Sequence, residues 1–140
     1  MRGTDRRQRV LFVCTHNSAR SQMAEGILRG LYEDRFEAYS AGTMPTAVDP
    51  RAVSAMSEIG FDISHHRVKS VGEFLGMEID YVATLCDDAQ QSCPFFPGAR
   101  EYIHRRFVDP TGISDPEEAM ASFRQVRDEI KNWIIEVFGQ

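Results

Sequence analysis

Residues 10–21 of the chain read VLFVCTHNSARS. The first four residues are apolar and rich in β-formers, which predicts a buried parallel strand that ends at Cys14. From Ala19 onward the apolar side chains recur at helical spacing, as Met23, Ile27, Leu28 and Leu31. The stretch therefore predicts a strand, a short loop over residues 15–18, and a helix that packs back on the strand.

The rest of the chain continues this alternation. We predict strands over residues 36–40, 81–85 and 102–108, and helices over 50–59, 71–75 and from Asp115 to near Gly139. The last helix has an expected core stripe of Phe123, Val126, Ile130, Trp133 and Val137. Strands that alternate with helices indicate an α/β fold, here a four-stranded parallel sheet flanked by helices on both faces. Because ligands bind beyond the carboxyl ends of such strands, Cys14 and Cys86, which each follow a strand, are expected at that edge.

Length, charge and cysteine content narrow the classes of function. A chain of 140 residues, 42% of them hydrophobic, has the size of one domain, so we expect a single domain over residues 1–140 with residues 1–8 flexible. The apolar run after Arg9 is too short for a signal peptide, and three cysteines fit a reducing compartment, so we expect a cytoplasmic protein. A net charge of -5 argues against nucleic acid and membrane surfaces as partners.

Cys14 and Arg20 form a Cys-x5-Arg loop between the predicted strand and helix. The backbone N–H groups of such a loop, with the positive end of the following helix, form a concave site for a tetrahedral oxyanion. The expected oxyanion-binding residues are Thr15, His16, Asn17, Ser18, Ala19 and Arg20. The same dipoles favour a thiolate at Cys14, and Ser21 is suited to donate a hydrogen bond to its sulfur. Two alternatives stay open: a plain core cysteine at position 14, and a histidine in the loop that only faces solvent.

Residues 13–26, VCTHNSARSQMAEG, resemble the oxyanion loop of the low-molecular-weight tyrosine phosphatase superfamily, and in particular its arsenate reductase branch. Further segments follow in the family's order: YSAG at 39–42, TLC at 84–86, CP at 93–94, DP at 109–110 and RDEI at 127–130. The resemblance covers most of the chain. It implies a phosphatase-like fold with Cys14 as nucleophile, Arg20 as anion ligand and Asp109 as general acid, although an Asp-Pro pair by itself commonly starts a turn.

Cys86 and Cys93 separate a reductase from a phosphatase. A phosphatase needs only a nucleophile, an arginine and an acid, whereas a reductase must also supply two electrons from thiols. Each cysteine alone can be a core residue. Together with the resemblance, the pair implies a relay: Cys14 attacks arsenate, Cys86 attacks Cys14 and releases arsenite, and Cys93 attacks Cys86. Thioredoxin then reduces the final disulfide, and no bound cofactor is expected.

The spacing of Cys86 and Cys93 adds a conformational expectation. The two aspartates after Cys86 are suited to cap a helix and the proline after Cys93 cannot continue one, so the segment between the cysteines is expected to be a short helix. Seven helical residues rise about 10 Å, whereas disulfide-linked Cα atoms lie about 4.4 to 6.8 Å apart. The helix must therefore unwind to form the disulfide, which is expected to expose Phe95 and Phe96 for thioredoxin docking.

One segment departs from the pattern of the branch. In members that the chain resembles, an additional aspartate helps to bind potassium near the residues that match Asn17, Glu25 and Ser40. This chain has Lys69 in place of that aspartate, so we expect its ammonium to replace the ion and predict no metal. The neighbouring His65 and His66 are expected to be a surface pair, because adjacent residues rarely chelate one ion.

The expected partners are arsenate, with phosphate or sulfate as competing oxyanions, and thioredoxin, acting on a monomer. Two alternatives from other classes remain: a low-molecular-weight protein tyrosine phosphatase, which would have no use for Cys93, and a non-enzymatic oxyanion or redox sensor. Glutathione and glutaredoxin are an alternative electron source, although an internal pair of Cys86 and Cys93 favours thioredoxin. Only catalytic turnover separates the enzyme from the sensor.

Overall fold

The computed structural model describes residues 7–140. Its strands are β1 (Gln8–Cys14), β2 (Phe36–Gly42), β3 (Tyr81–Thr84) and β4 (Glu101–His104), and its helices are α1 (Arg20–Tyr32), α2 (Pro50–Ser57), α3 (Asp87–Ser92) and α4 (Pro116–Phe138). Two short 3-10 turns cover Val71–Phe74 and Pro110–Gly112. The strands are all parallel, in the order β2-β1-β3-β4, which confirms the predicted α/β fold with a four-stranded parallel sheet.

The side chains of β1 divide the core into two layers. Val10 and Phe12 face one side, where they pack with apolar residues of α1, α2 and α4. Leu11 and Val13 face the other side, which is covered by the 3-10 turn Val71–Phe74, by α3 and by a buried phenylalanine after α3. Helical segments therefore lie on both faces, as predicted, but those on the second face are short.

The strand register brings the ends of three strands to one edge. β1 pairs with β3 up to Val13 and Thr84, and β1 pairs with β2 up to Cys14 and Gly42. Cys86 follows β3 by two residues, so it lies at the same edge as Cys14. This edge is where the loop after β1 and the helix α3 begin.

The long helix α4 begins as predicted and packs slightly differently from the prediction. Asp115 is the N-cap, its side chain accepts a hydrogen bond from the backbone N–H of Glu118, and proline follows it. Val137 is 38% exposed, and Ile134 and Phe138 are buried instead. The predicted stripe stepped by 3.5 residues per turn, whereas a straight helix has 3.6, so the buried face drifts over 23 residues.

Two predicted boundaries were wrong. The last strand ends at His104 rather than at residue 108, because β4 is a largely exposed edge strand and the chain leaves it towards the end of β3, where Phe107 N–H donates to Leu85 O. Gln8, expected in a flexible segment, pairs with Phe36 at the start of β1; residues 1–6 of that expected segment lie outside the described residues. Among residues 7–140, no helix has the length and apolar character needed to cross a membrane.

Candidate active site

The loop after β1 surrounds the sulfur of Cys14. This residue is 2% exposed, and its Sγ lies 2.8 Å from Ser21 Oγ in the first turn of α1. Asn17 Nδ2 donates to the same Ser21 oxygen over 2.8 Å, which leaves the Ser21 hydroxyl proton free to point at the sulfur. Ser21 is therefore placed to donate a hydrogen bond to the Cys14 sulfur.

Asn17 sets the curvature of the loop. Its backbone has φ +54°, in the left-handed region that asparagine tolerates better than most residues. Gln22 Nε2 donates to both the backbone oxygen and Oδ1 of Asn17, at 3.1 and 2.9 Å. Asn17 is fully buried and also donates to Ser40 Oγ over 3.0 Å. These buried hydrogen bonds fix the conformation of the loop. The role of Gln22 was not predicted from the sequence.

The other expected oxyanion-binding residues line the loop in different environments. Thr15 is half-buried, and His16 is exposed with its Nδ1 3.1 Å from Met44 O. Ser18 is half-buried, and Ala19 is buried as the N-cap residue of α1. The histidine therefore lies at the rim of the site, where both of its sequence interpretations, tuning the anion site and facing solvent, stay open.

Arg20 and Asp109 meet across the site although they are far apart in the sequence. Arg20 is the first residue of α1, is 8% exposed, and donates to Phe107 O over 3.1 Å. Its Nη2 lies 3.5 Å from Asp109 Oδ2. Burial raises the pKa of Asp109, but hydrogen bonds from Thr111 and the charge of Arg20 outweigh it, so the pKa lies below its ordinary value. In the absence of substrate, Asp109 is therefore ionised at neutral pH.

Cys86 and Cys93 lie at the two ends of α3. Cys86 is 8% exposed and its Sγ is 3.3 Å from Thr15 Oγ1, so it faces the loop that holds Cys14. Cys93 follows the last residue of α3, and burial raises the pKa of its thiol to about 11. The expected short helix is present, but Cys86 itself is the N-cap and the two aspartates occupy the first turn, so their predicted capping role was wrong.

A cavity of about 400 Å³ opens beside these groups, lined by Thr15, His16, Arg20, Cys86, Arg106 and Asp109 among others. Of the loop before the arginine, Thr15 and His16 line the cavity and Cys14 does not. The arginine, the second cysteine and the carboxylate that the sequence predicts as site residues also line it. Cys93 is not among its lining residues. The three cysteines are thus arranged with two at the anion loop and one at the far end of a short helix.

The two phenylalanines after Cys93 have opposite environments. Phe95 is 74% exposed and stacks on Tyr102 with ring centroids 6.4 Å apart. Phe96 is 1% exposed, and the Tyr102 hydroxyl bonds to both its backbone N–H and its carbonyl oxygen. Phe95 is therefore already exposed while the cysteines are free thiols, and only for Phe96 does exposure on unwinding stay a prediction.

A buried carboxylate lies behind the loop. Glu25 accepts a hydrogen bond from Ser40 over 2.5 Å, and Lys69 Nζ lies 3.4 Å from the same Glu25 oxygen. The backbone N–H of Lys69 also donates to Asn17 Oδ1. Burial raises the pKa of Glu25, but the Lys69 charge, the Ser40 hydrogen bond, His66 and Arg29 outweigh it and hold the pKa below its ordinary value. The Lys69 ammonium thus lies against the Glu25 carboxylate, and its replacement of a potassium ion stays a prediction.

The prediction of a surface histidine pair was wrong for His66. Its side chain is 3% exposed, with Nδ1 2.8 Å from Gln22 Oε1 and Nε2 3.1 Å from Arg29 Nη1. Burial lowers the pKa of His66, which keeps the ring neutral at neutral pH. The ring of His65 contacts that of His66 edge-on, with centroids 5.0 Å apart, but only the tertiary fold supplied the polar partners of His66.

We expect Lys69→Ala to destabilise the protein by about 1–3 kcal/mol, because the buried Glu25 carboxylate keeps Arg29, 2.6 Å away, but loses the cation beside its other oxygen. Since the pKa of Glu25 in the fold lies below its ordinary value of 4.5, this stabilisation is present above pH 4.5 and is lost as pH falls through the folded value. Thermal melts in equal concentrations of potassium and sodium chloride measure the effect, with Lys131→Ala as control. We expect potassium to raise the melting temperature above that in sodium only for the Lys69→Ala protein. A higher melting temperature of the unaltered chain in potassium would contradict the prediction that Lys69 replaces the ion.

Gly42 is a further residue that sequence reasoning missed. A Cβ atom at this position would lie 2.7 Å from Thr15 O and 3.0 Å from Asn17 N. Real Cβ atoms do not approach backbone atoms that closely, so the anion loop can rest on the end of β2 only because position 42 is glycine. The signal available in the sequence was the glycine that closes the second predicted strand.

The chain is similar to known proteins over nearly its whole length. The model of the family described as low molecular weight phosphotyrosine protein phosphatase matches residues 9–140. Arsenate reductase 2 of Staphylococcus epidermidis is 40% identical over 125 residues, which cover 89% of this chain and 92% of that protein.

Solved structures agree with this assignment. An arsenate reductase in the phosphate-binding state has a TM-score of 0.83 and 30% identity, over 94% of this chain and 97% of that chain. A thioredoxin-dependent arsenate reductase of Corynebacterium glutamicum has a TM-score of 0.74 and 29% identity, over 95% of this chain and 61% of that chain. The chain therefore belongs to the low molecular weight phosphotyrosine protein phosphatase family, within which it is similar to arsenate reductases.

Proposed function

We propose that this protein reduces arsenate to arsenite with a three-cysteine relay and takes its electrons from thioredoxin. The observation that carries the proposal is Cys86 Sγ beside Thr15 of the anion loop, with Cys93 at the other end of a six-residue helix. A phosphatase requires neither thiol. The names of the similar arsenate reductases, one of them thioredoxin-dependent, support the same reading. We further propose that the chain acts as a monomer in the cytoplasm, where thiols stay reduced.

In the first step, the loop N–H groups and Arg20 hold arsenate while the Cys14 thiolate attacks arsenic. A sulfur–arsenic bond forms, an arsenic–oxygen bond breaks, and the departing oxygen leaves as water with a proton from Asp109. Asp109 is ionised before substrate arrives. When arsenate binds to Arg20, the arginine charge is neutralised and a negative charge is added beside Asp109. Both changes raise the pKa of the Asp109 carboxyl, which lets it hold the proton that a general acid must donate.

In the second step, the Cys86 thiolate attacks Cys14 Sγ. The electron pair of the sulfur–arsenic bond stays on arsenic, which leaves as arsenite, and a disulfide joins Cys14 to Cys86. Cys93 then attacks Cys86 and expels Cys14 as a thiolate, ready for the next arsenate. Thioredoxin supplies two electrons and two protons to reduce the remaining disulfide between Cys86 and Cys93.

The step made by Cys93 requires a conformational change. In the helical state the pKa of its thiol is about 11, so the thiol is protonated and half-buried at neutral pH. Its Cα lies roughly 10 Å from that of Cys86 along the helix, beyond disulfide distance. A helix of six residues is marginal alone. We propose that α3 unwinds after Cys86 has reacted, which exposes Cys93 and brings the two sulfurs together.

The experiment that tests this function is arsenate-dependent NADPH consumption by the purified protein with thioredoxin and thioredoxin reductase. Sustained consumption that requires arsenate and vanishes in Cys14→Ser is expected, because Cys14 makes the first bond. Replacing thioredoxin with glutathione and glutaredoxin tests the alternative donor. Absence of consumption, together with hydrolysis of an aryl phosphate by the same sample, would support a phosphatase and contradict the reductase.

We propose that Phe95 forms part of the thioredoxin contact, since it lies two residues after Cys93 and, at 74%, is the most exposed large hydrophobic side chain in residues 7–140. Phe95→Ser is expected to slow reduction of the disulfide between Cys86 and Cys93 by thioredoxin about tenfold, as loss of one aromatic anchor does at interfaces. Reduction by dithiothreitol should not change. Stopped-flow tryptophan fluorescence measures both rates. Leu75→Ser, at another exposed apolar residue, is the control, and equal rates for Phe95→Ser and the unaltered chain would refute the contact.

A further inference from the structure

The helix α3 is held only weakly by its own sequence. Its N-cap, Cys86, makes no side-chain capping hydrogen bond, and Ala89 is its only buried residue. Isolated helices of this length do not form in water. Contacts from outside the helix must therefore hold its first turn in place while the cysteines are thiols.

The first turn is tied to the sheet through Asp87. Asp87 Oδ1 lies 3.1 Å from His104 Nε2, and Oδ2 lies 3.5 Å from Arg106 Nε. Because a carboxylate can only accept, His104 Nε2 carries the proton and donates to Asp87. In the neutral ring His104 Nδ1 then accepts from the Thr84 hydroxyl, which lies 2.8 Å away.

The sheet fixes the position of the histidine ring. Thr84 and His104 are register partners at the ends of β3 and β4. The imidazole therefore bridges the sheet edge and the first residue of α3, one residue after Cys86. Loop residues alone would not hold the ring as firmly, because the pairing of β3 with β4 sets the distance between His104 and Thr84.

We infer that His104 is a positioning residue of the thiol relay: its tie to Asp87 holds α3 helical and so stabilises the dithiol state against the disulfide between Cys86 and Cys93. The inference rests on the proposed function, in which α3 unwinds when that disulfide forms. Unwinding displaces the residue next to Cys86 and breaks the tie. The tie therefore raises the reduction potential of the disulfide and makes thioredoxin a more effective reductant of it.

The exposure of Asp87 and His104 limits how much their contact can change the reduction potential. The Asp87 side chain is 60% exposed and that of His104 is 26% exposed, so water screens the contact. We expect loss of the tie to shift the equilibrium between dithiol and disulfide about threefold towards the disulfide, which corresponds to a fall of about 14 mV in reduction potential.

The test is a redox titration of the full chain in a Cys14→Ser background, equilibrated with mixtures of reduced and oxidised dithiothreitol. Oxidised dithiothreitol accepts the two electrons and two protons of the thiol pair. Alkylation followed by mass spectrometry measures the disulfide fraction. The variants are Asp87→Ala, His104→Ala and the double variant, with Asp88→Ala as control because it removes the other carboxylate of the same turn.

We expect each single variant to lower the potential by about 14 mV relative to the parent, after subtraction of the Asp88→Ala shift for Asp87→Ala. The double variant should match the single variants and not their sum, since the contact between Asp87 and His104 is lost in all three and the exposed Arg106 pair contributes little. Potentials equal to the parent, or shifts that add, would overturn the tie while leaving the relay intact. A parent chain that forms no disulfide between Cys86 and Cys93 at any ratio would overturn both the relay and this inference.

Discussion

Cys93→Ser is expected to release one arsenite per chain and then stop. Cys14 and Cys86 still carry out the chemistry of the first two steps, but no thiol remains to attack Cys86. The resulting disulfide joins residues that are 2% and 8% exposed in the fold, so thioredoxin has little access to it. The variant is therefore expected to reduce one arsenate per chain and no more.

Quantifying arsenite against protein concentration measures this stoichiometry, and peptide mapping without reductant identifies the disulfide. Ser92→Ala, one residue earlier at the end of α3, is the matched control and should turn over repeatedly. Repeated turnover by Cys93→Ser would refute the order of the relay. A disulfide other than that between Cys14 and Cys86 in the stopped protein would refute Cys86 as the second thiol.

Gly42→Ala is expected to lower kcat/KM for arsenate about 10²-fold, because the added methyl group displaces the anion loop. The new Cβ would lie 2.7 Å from Thr15 O and 3.0 Å from Asn17 N, and backbone atoms cannot rotate away from it as a side chain can. The donors of the loop would shift relative to Cys14 and Arg20. Overpacking of this kind also costs stability, typically about 1–3 kcal/mol, without abolishing the fold.

Steady-state kinetics with arsenate, beside a thermal melt, separates the loss of activity from the loss of stability. Gly76→Ala is the control, since a Cβ there meets nothing within 4 Å. We expect inhibition by phosphate to weaken by a similar factor, because phosphate binds the same backbone donors as arsenate. Unchanged kinetics in Gly42→Ala would mean that the loop does not depend on close contact with β2.

Much of the fold followed from local patterns. The strand at 10–13, the helix after it and the cap at Asp115 depend on residues that are neighbours in the sequence, so periodicity and capping were enough to predict them. The end of β4 and the buried face of α4 near Phe138 were predicted wrongly. Both depend on what lies beside the element, and a sequence pattern does not contain that information.

The candidate site divides in the same way. Residues 14–21 could be read as an anion loop with a nucleophile because the loop's backbone donors, its arginine and its serine all come from one local segment. The contact of Lys69 with Glu25 came only from the fold, because the two residues are 44 positions apart in the sequence, and the replacement of an ion by Lys69 stays a prediction.

By itself, the sequence determined the sheet class and the anion loop, since these depend on local periodicity and motif spacing. The order of the three thiols was implied only by the family resemblance and stays a prediction. Only the tertiary structure decided that Asp109 pairs with Arg20, that Gly42 supports the loop, and that His104 ties Asp87 to the sheet. These contacts join elements that are distant in the chain, and their distances are set by strand register and core packing. Local sequence carries no direct record of those distances.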